Sequence, residues 1–111
     1  MVRLGQEFEL KINQEAVIEG EGLAIAFESA LQDGRCPEGV DCVWAGNAKI
    51  KIKLSKQKQT PAAIELNTGV SPRSSSYLDY EVKLVALNPR PKADKAVDPK
   101  EYKATLIVTK K

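Results

Sequence analysis

Residues Asp33 to Leu54 read DGRCPEGVDCVWAGNAKIKIKL. The last third of this stretch alternates strictly. Ala48, Ile50, Ile52 and Leu54 fall on one face, and Lys49, Lys51 and Lys53 on the other. Successive side chains of a strand point to opposite faces, so the pattern predicts a half-buried β-strand with one wet face. Trp44 shares the parity of the apolar set. It is expected to pack into the core where the strand runs back that far, and its indole N–H then needs a partner. Gly46-Asn47 interrupts the run and predicts a bulge or bend.

The cysteines stand just before that strand, in Cys36-Pro-Glu-Gly-Val-Asp-Cys42. Their spacing fits neither a redox C-x-x-C pair nor the common zinc patterns. The chain also has no histidine, the commonest partner ligand. Pro37 and Gly39 let the backbone turn sharply enough to bring the two sulfurs together. The preferred reading is a disulfide closing a short loop. The alternative, two reduced and buried cysteines, belongs to a cytosolic protein. An even cysteine count in a small all-β chain favours the bridge and, with it, an oxidising compartment outside the cytoplasm.

Outward from the centre, the same period-2 signal recurs. Phe8, Leu10 and Ile12 alternate with Glu7, Glu9 and Lys11, predicting a strand over 6–12. Ala16-Val17-Ile18 is a short apolar piece suited to an edge. Glu19-Gly-Glu-Gly22 is a turn. Leu23, Ile25, Phe27 and Ser29 then share one face, and the short alternating run favours a strand over the helix that its alanines allow. Ser55–Pro61 reads as a polar loop and Ile64–Leu66 as a short strand. Asn67–Ser76 reads as a long polar loop, the expected mobile segment. Strands follow from Tyr80 to Ala86 and from Tyr102 to Thr109, where Ile107 faces away from the apolar set and suggests cover on both sides. The proline-bearing segment 88–100 cannot be a central strand. Six to seven short strands with turns between them predict an all-β fold, an antiparallel β-sandwich that is immunoglobulin-like in architecture only.

Length and charge narrow the function. The 111 residues suit a single domain over 1–111. Seventeen Lys+Arg against 15 Asp+Glu leave a net charge of +2, which implies no nucleic-acid partner. No run is long enough for a membrane span. Met1–Gly5 leads straight into the first strand without a signal-peptide pattern. An exported protein would therefore be represented by its mature part with a start methionine added, and a lipid anchor on a longer chain fits the same picture.

Asp33-Gly-Arg-Cys-Pro37, then Cys42-Val-Trp-Ala-Gly-Asn-Ala48, resembles the pattern D-S-R-C-P-x(4)-C-x-W-A-G-x-A of a family of uncharacterised bacterial secreted proteins and lipoproteins. The likeness continues through Glu65-Leu-Asn-Thr68, Tyr80, Leu87-Asn-Pro-Arg-Pro91 and Tyr102. Gly34 stands where the pattern has Ser, removing a hydroxyl able to cap the turn. Arg90 stands where an aromatic residue is expected between the prolines. The resemblance implies an exported β-domain bridged through Cys36 and Cys42, and it implies no activity.

Candidate sites are few. Without histidine, neither a Ser-His-Asp nor a Cys-His arrangement can be built. Carboxylate pairs such as Glu19/Glu21 and Asp79/Glu81 read as wet surface. Asp33, Asp41 and Asn47 lack the spacing of a calcium loop. For Asp33 an Asx-type turn is expected, and for Asp41 a pairing with Arg35 or with backbone amides. No metal or cofactor is expected. The lysines at 49, 51, 53, 56 and 58 form a basic stripe that glutamates on neighbouring strands would neutralise. Arg35, Trp44, Asn67 and Arg73 remain as candidate binding residues. The expected function is a non-catalytic extracytoplasmic binding or structural module, a monomer engaging an envelope protein or another protein. The alternatives are a protease inhibitor presenting Arg35 on the clamped loop and a small hydrolase or redox enzyme.

Overall fold

Strict alternation produces the strand it predicts. In the computed structural model, which describes residues 2–37, 39–44, 46–90 and 97–110, Ala48–Lys56 is a strand whose alanine, isoleucines and leucine are all buried. In chain order the strands are β1 (Phe8–Lys11), β2 (Glu15–Ile18), β3 (Leu23–Asp33), β4 (Ala48–Lys56), β5 (Ala62–Asn67), β6 (Ser74–Tyr77), β7 (Tyr80–Asn88) and β8 (Lys103–Lys110). A 3-10 turn, Pro99–Glu101, enters β8, with Asp98 accepting from the Lys100 amide. Two antiparallel four-stranded sheets result, β2-β3-β4-β5 and β1-β8-β7-β6. Their inner faces meet in one aliphatic core carrying Phe8, Phe27, Tyr77, Tyr80 and Tyr102 among Leu, Ile, Val and Ala. The fold is thus an all-β antiparallel sandwich, as the sequence predicts.

Among the described residues the strands number eight, one more than the periodicity shows. The extra one is β6, Ser-Ser-Ser-Tyr, inside the stretch expected to be a mobile loop. Serine carries no hydrophobic signal, so alternation is silent there. The strand forms because Tyr77 and Tyr80 pair across a two-residue turn, with Leu78 at φ 55°, and hold β6 against β7. Two further expectations need correction. Trp44 lies outside the core at 60% exposure, because the strand begins only at Ala48 and Gly46, at φ +80°, breaks the parity between them. Ile107 faces the outer side of its sheet opposite Lys83 and is half-buried there, with no further layer over it among the described residues. Of the segment 88–100, residues 91–96 lie outside the described residues, as do Glu38 and Ala45.

β3 is the long strand that leads into the disulfide-bearing connection to β4. Its pairing with β4 slips between Phe27 and Ser29 and again between Ala30 and Gln32. The first slip turns Ala30, rather than Ser29, inward opposite Ile50 and leaves Leu31 exposed. The second restores the original parity, so Asp33 arrives opposite the buried Ala48.

Removing buried methyl groups from β4 tests the core. Ile52→Ala is expected to lower unfolding free energy by about 2–5 kcal/mol in urea titration. Lys53→Ala, on the wet face of the same strand, is expected to change it by less than about 1 kcal/mol.

Candidate functional site

The β3–β4 connection folds back on itself and is locked at its base. Asp33 begins the lock with an Asx-type turn, its Oδ1 accepting from the Arg35 amide at 3.4 Å. The Arg35 side chain then returns to the same carboxylate. Nε donates to Oδ1 and Nη2 to Oδ2, both at 2.8 Å. The guanidinium also reaches the opposite sheet, donating to the carbonyl oxygens of Leu87 and, at 2.8 Å, Pro89. The Tyr102 hydroxyl, at the entry to β8, donates to Asp33 Oδ2 at 2.8 Å. The Asp33 and Arg35 side chains are only 12% and 11% exposed, so solvent screens this pair weakly. Arg90 adds an outer strap, its Nε donating to the Cys36 carbonyl at 2.9 Å.

The ionisation states follow from that geometry. Burial, the largest single influence on Asp33, pushes its carboxyl up. Hydrogen bonds from Arg35 and Tyr102, with the guanidinium charge, together outweigh burial and hold it below the ordinary value. Tyr102 is pushed up to about 12, first by burial and then by the neighbouring carboxylate.

Close backbone packing completes the lock. A Cβ at Gly46 would overlap the Gly34 carbonyl oxygen and stand 2.7 Å from the Arg35 Cα, and one at Gly69 would overlap the Gly46 carbonyl oxygen. Three chain segments therefore stack, and at positions 46 and 69 only glycine fits. Asn47 and Asn67 hold the third segment in place. Asn47 Nδ2 donates to Asn67 Oδ1 at 3.0 Å, the Gly69 amide donates to Asn47 Oδ1 at 2.8 Å, and Asn67 Nδ2 donates to the Pro72 carbonyl at 3.0 Å.

Beyond the lock the loop is closed by the Cys36–Cys42 disulfide, with Cα atoms 6.0 Å apart. The cysteine pairing read from the sequence is present. Cys36 is buried, whereas Val40, Val43 and Trp44 are exposed, Val43 completely. Val70, next to the stacked Gly69, is exposed as well. The two loops at this end of the sandwich thus carry exposed apolar side chains, the tip, above a base fixed by directional bonds.

The four candidate binding residues divide accordingly. Trp44 belongs to the tip. Arg73 is exposed in the second loop, where its carbonyl accepts from the Leu84 amide. Asn67, at 2% exposure, is a structural fastener rather than a contact residue. Arg35 is buried in the lock, so the inhibitor reading loses the free basic side chain that it requires. It pairs with Asp33, and Asp41 plays no part in that pairing. Val40, Val43 and Val70 escape sequence reasoning because isolated valines outside any alternating run carry no signal. Tyr102 reads there only as a core position of the last strand.

Three lysines of the stripe meet glutamates on neighbouring strands. Lys49 meets Glu65 at 3.7 Å, and Lys51 and Lys53 both meet Glu28, at 3.6 and 3.2 Å. Lys56 instead donates to the Tyr80 hydroxyl at 2.7 Å, and that hydroxyl donates to Glu21 Oε1 at 2.7 Å. The Tyr80 hydrogen bond leads in lowering the Glu21 carboxyl and in raising the Lys56 ammonium. This second network sits at the end of the sandwich remote from the tip. Among the described residues no group of three or more Asp, Glu, Cys or His side chains is placed to hold a metal ion. No protein-family model, curated protein or solved structure matches this chain.

Tyr102→Phe is expected to cost about 1.5–3 kcal/mol in denaturant titration at neutral pH, the range for a hydrogen bond to a charged group. The pH dependence separates the two partners. Tyr102 holds its proton more tightly when folded, so its contribution is complete below its ordinary value of 10.0 and lost as pH rises towards about 12. Asp33 is shifted down, so its contribution is present above the unfolded carboxyl value of about 3.9 and lost as pH falls through the lower folded one. The Phe variant should lose the alkaline loss of stability due to Tyr102 while keeping the acid one.

Proposed function

We propose that this chain is a non-catalytic binding module of an oxidising, extracytoplasmic compartment, and that it engages a protein of the cell envelope through the Val40–Val43–Trp44–Val70 tip. One observation carries the reading: the only tryptophan of the chain stands exposed on a loop whose base is over-determined by a disulfide, a buried ion pair and stacked glycines. A tryptophan beside aliphatic neighbours is the usual anchor of a protein interface. A loop held in its bound shape loses little conformational entropy on docking. The disulfide supports the compartment, since such bridges persist where thiols are oxidised. The resemblance to secreted and lipid-anchored bacterial proteins points the same way. The charged side chains beneath the tip favour binding over catalysis, because Asp33, Arg35 and Tyr102 spend their hydrogen bonds on one another and on backbone carbonyls.

Affinity capture from envelope extract tests the reading, with wild type, Trp44→Ser and Val43→Asp as baits. The substituted side chains are exposed, so stability should stay within about 0.5 kcal/mol of wild type. A partner recovered by wild type should be lost at least about tenfold by both variants, equivalent to about 1.4 kcal/mol. Equal recovery by all three baits would remove the tip from the function. Recovery of nothing specific by wild type would remove the envelope partner.

A further inference from the structure

The four sheet edges are not equally protected. β2 is capped by the N-terminal segment, where the Val2 amide donates to the Val17 carbonyl at 3.1 Å and the Glu19 amide to the Val2 carbonyl at 2.6 Å. β1 and β6 have four residues each. β1 carries exposed Glu9 and Lys11, and β6 follows directly on Pro72-Arg73. Shortness, charge and a flanking proline are the usual guards of a free edge. β5 is longer, and although Pro61 directly precedes it, its one charge, Glu65, is met by Lys49 of the same chain at 3.7 Å. It runs six residues, AAIELN, without proline, lysine or a slip in its pairing with β4.

The direction of its free groups follows from the ladder. The Asn67 amide points away from β4, donating to the Pro72 carbonyl at 2.9 Å, while the next amide, Thr68, donates to Ala48 in β4. Backbone groups alternate along a strand, so Ala63 and Glu65 share the outward direction of Asn67. Ala62, Ile64 and Leu66 bond to β4 instead. Among the described residues, the N–H and C=O of Ala63 and Glu65 have no backbone partner on the open side, and both residues are exposed. Ile64 between them is half-buried at the rim of the core.

We infer that β5 is the dimerisation edge of this protein, pairing antiparallel with β5 of a second copy about a two-fold axis through Ile64. The free set is self-complementary. With Ile64 opposite its own equivalent, Ala63 faces Glu65 of the other copy and Glu65 faces Ala63. Each free N–H then meets a free C=O, giving four backbone hydrogen bonds. No like charges are placed opposite one another, since Glu65 opposes alanine and keeps Lys49 of its own chain at 3.7 Å. The two Ile64 side chains meet across a closely spaced pair and cover the rim that each leaves open. Pro61 at one end and the Pro72 carbonyl on Asn67 at the other leave this register as the one that fits. The two sheets become one of eight strands, in an isologous arrangement. Because the β5 strands run in opposite directions, the two tips face opposite ways. The dimer stands independently of the tip's role and replaces the monomer expected from the sequence. So short an interface is weak, and its equilibrium belongs to the micromolar-to-millimolar range.

Sedimentation equilibrium and cysteine trapping test the inference. Wild type should show a monomer–dimer equilibrium below about 1 mM. Ala63→Pro removes an outward N–H while leaving the β4 ladder its bonds, and should weaken association at least about tenfold. In the trapping arm, Ile64→Cys places equivalent Cα atoms about 4.5 Å apart, within disulfide reach. Added diamide should then join two thiols across the axis, taking up their two hydrogens and giving a covalent dimer. Ala63→Cys is the more exposed site, but it stands two residues out of register with its equivalent and should trap poorly. A wild type that stays monomeric throughout, including one that instead takes up an extended peptide, overturns the inference. Equal trapping at both positions also overturns it, as does undiminished association of a folded Ala63→Pro variant. Should that variant fail to fold, the two cysteine variants decide.

Discussion

The Arg35 guanidinium joins the two sheets at the end where the molecule presents its exposed tip. It holds Asp33 at the end of β3 and the carbonyls at the end of β7, and Tyr102 approaches the same carboxylate from the start of β8. A sandwich core of aliphatic side chains is non-directional and leaves the connecting loops unfixed. The directional bonds of one buried fork supply what the core lacks. The base of the β3–β4 loop is positioned by that fork, and the disulfide closes the excursion between Cys36 and Cys42 beyond it.

Close backbone approach reinforces the same end. Gly46 lies in the β3–β4 connection and Gly69 in the loop after β5, and at both the neighbouring backbone leaves no room for a side chain. The Asn47–Asn67 pair and the Thr68 contacts with Ala48 fasten the second loop to the first. The apolar side chains of the tip are therefore carried on a frame that has few alternative conformations. That is the condition under which a small exposed surface can bind without a large entropic cost. The remote end is organised differently, around a buried tyrosine whose hydroxyl bridges Lys56 and Glu21.

Much of the fold was legible in the residues, and each miss has a cause. β4, β1 and β7 announce themselves because apolar residues alternate with charged ones, and β8 because Ala104, Leu106 and Val108 recur at every second position. β6 does not, because three serines give no alternation and its existence depends on Tyr77 meeting Tyr80. Trp44 shares the parity of the buried set only where the strand runs back through Gly46, and a glycine at φ +80° does not preserve parity. Arg35 was expected on the surface as an exposed basic residue. Its burial rests on carbonyls more than fifty residues away, which no local pattern encodes.

The sequence by itself determined the sandwich, the wet lysine face of β4 and the closure of the loop by its two cysteines, since each rests on contacts between near neighbours or on a simple period. Tertiary structure alone decided which side chains face solvent at the tip and which are spent beneath it. It also decided which sheet edge stays open. Those outcomes depend on where distant backbone groups arrive, and hydrogen-bond partners separated by half the chain leave no trace in residue order.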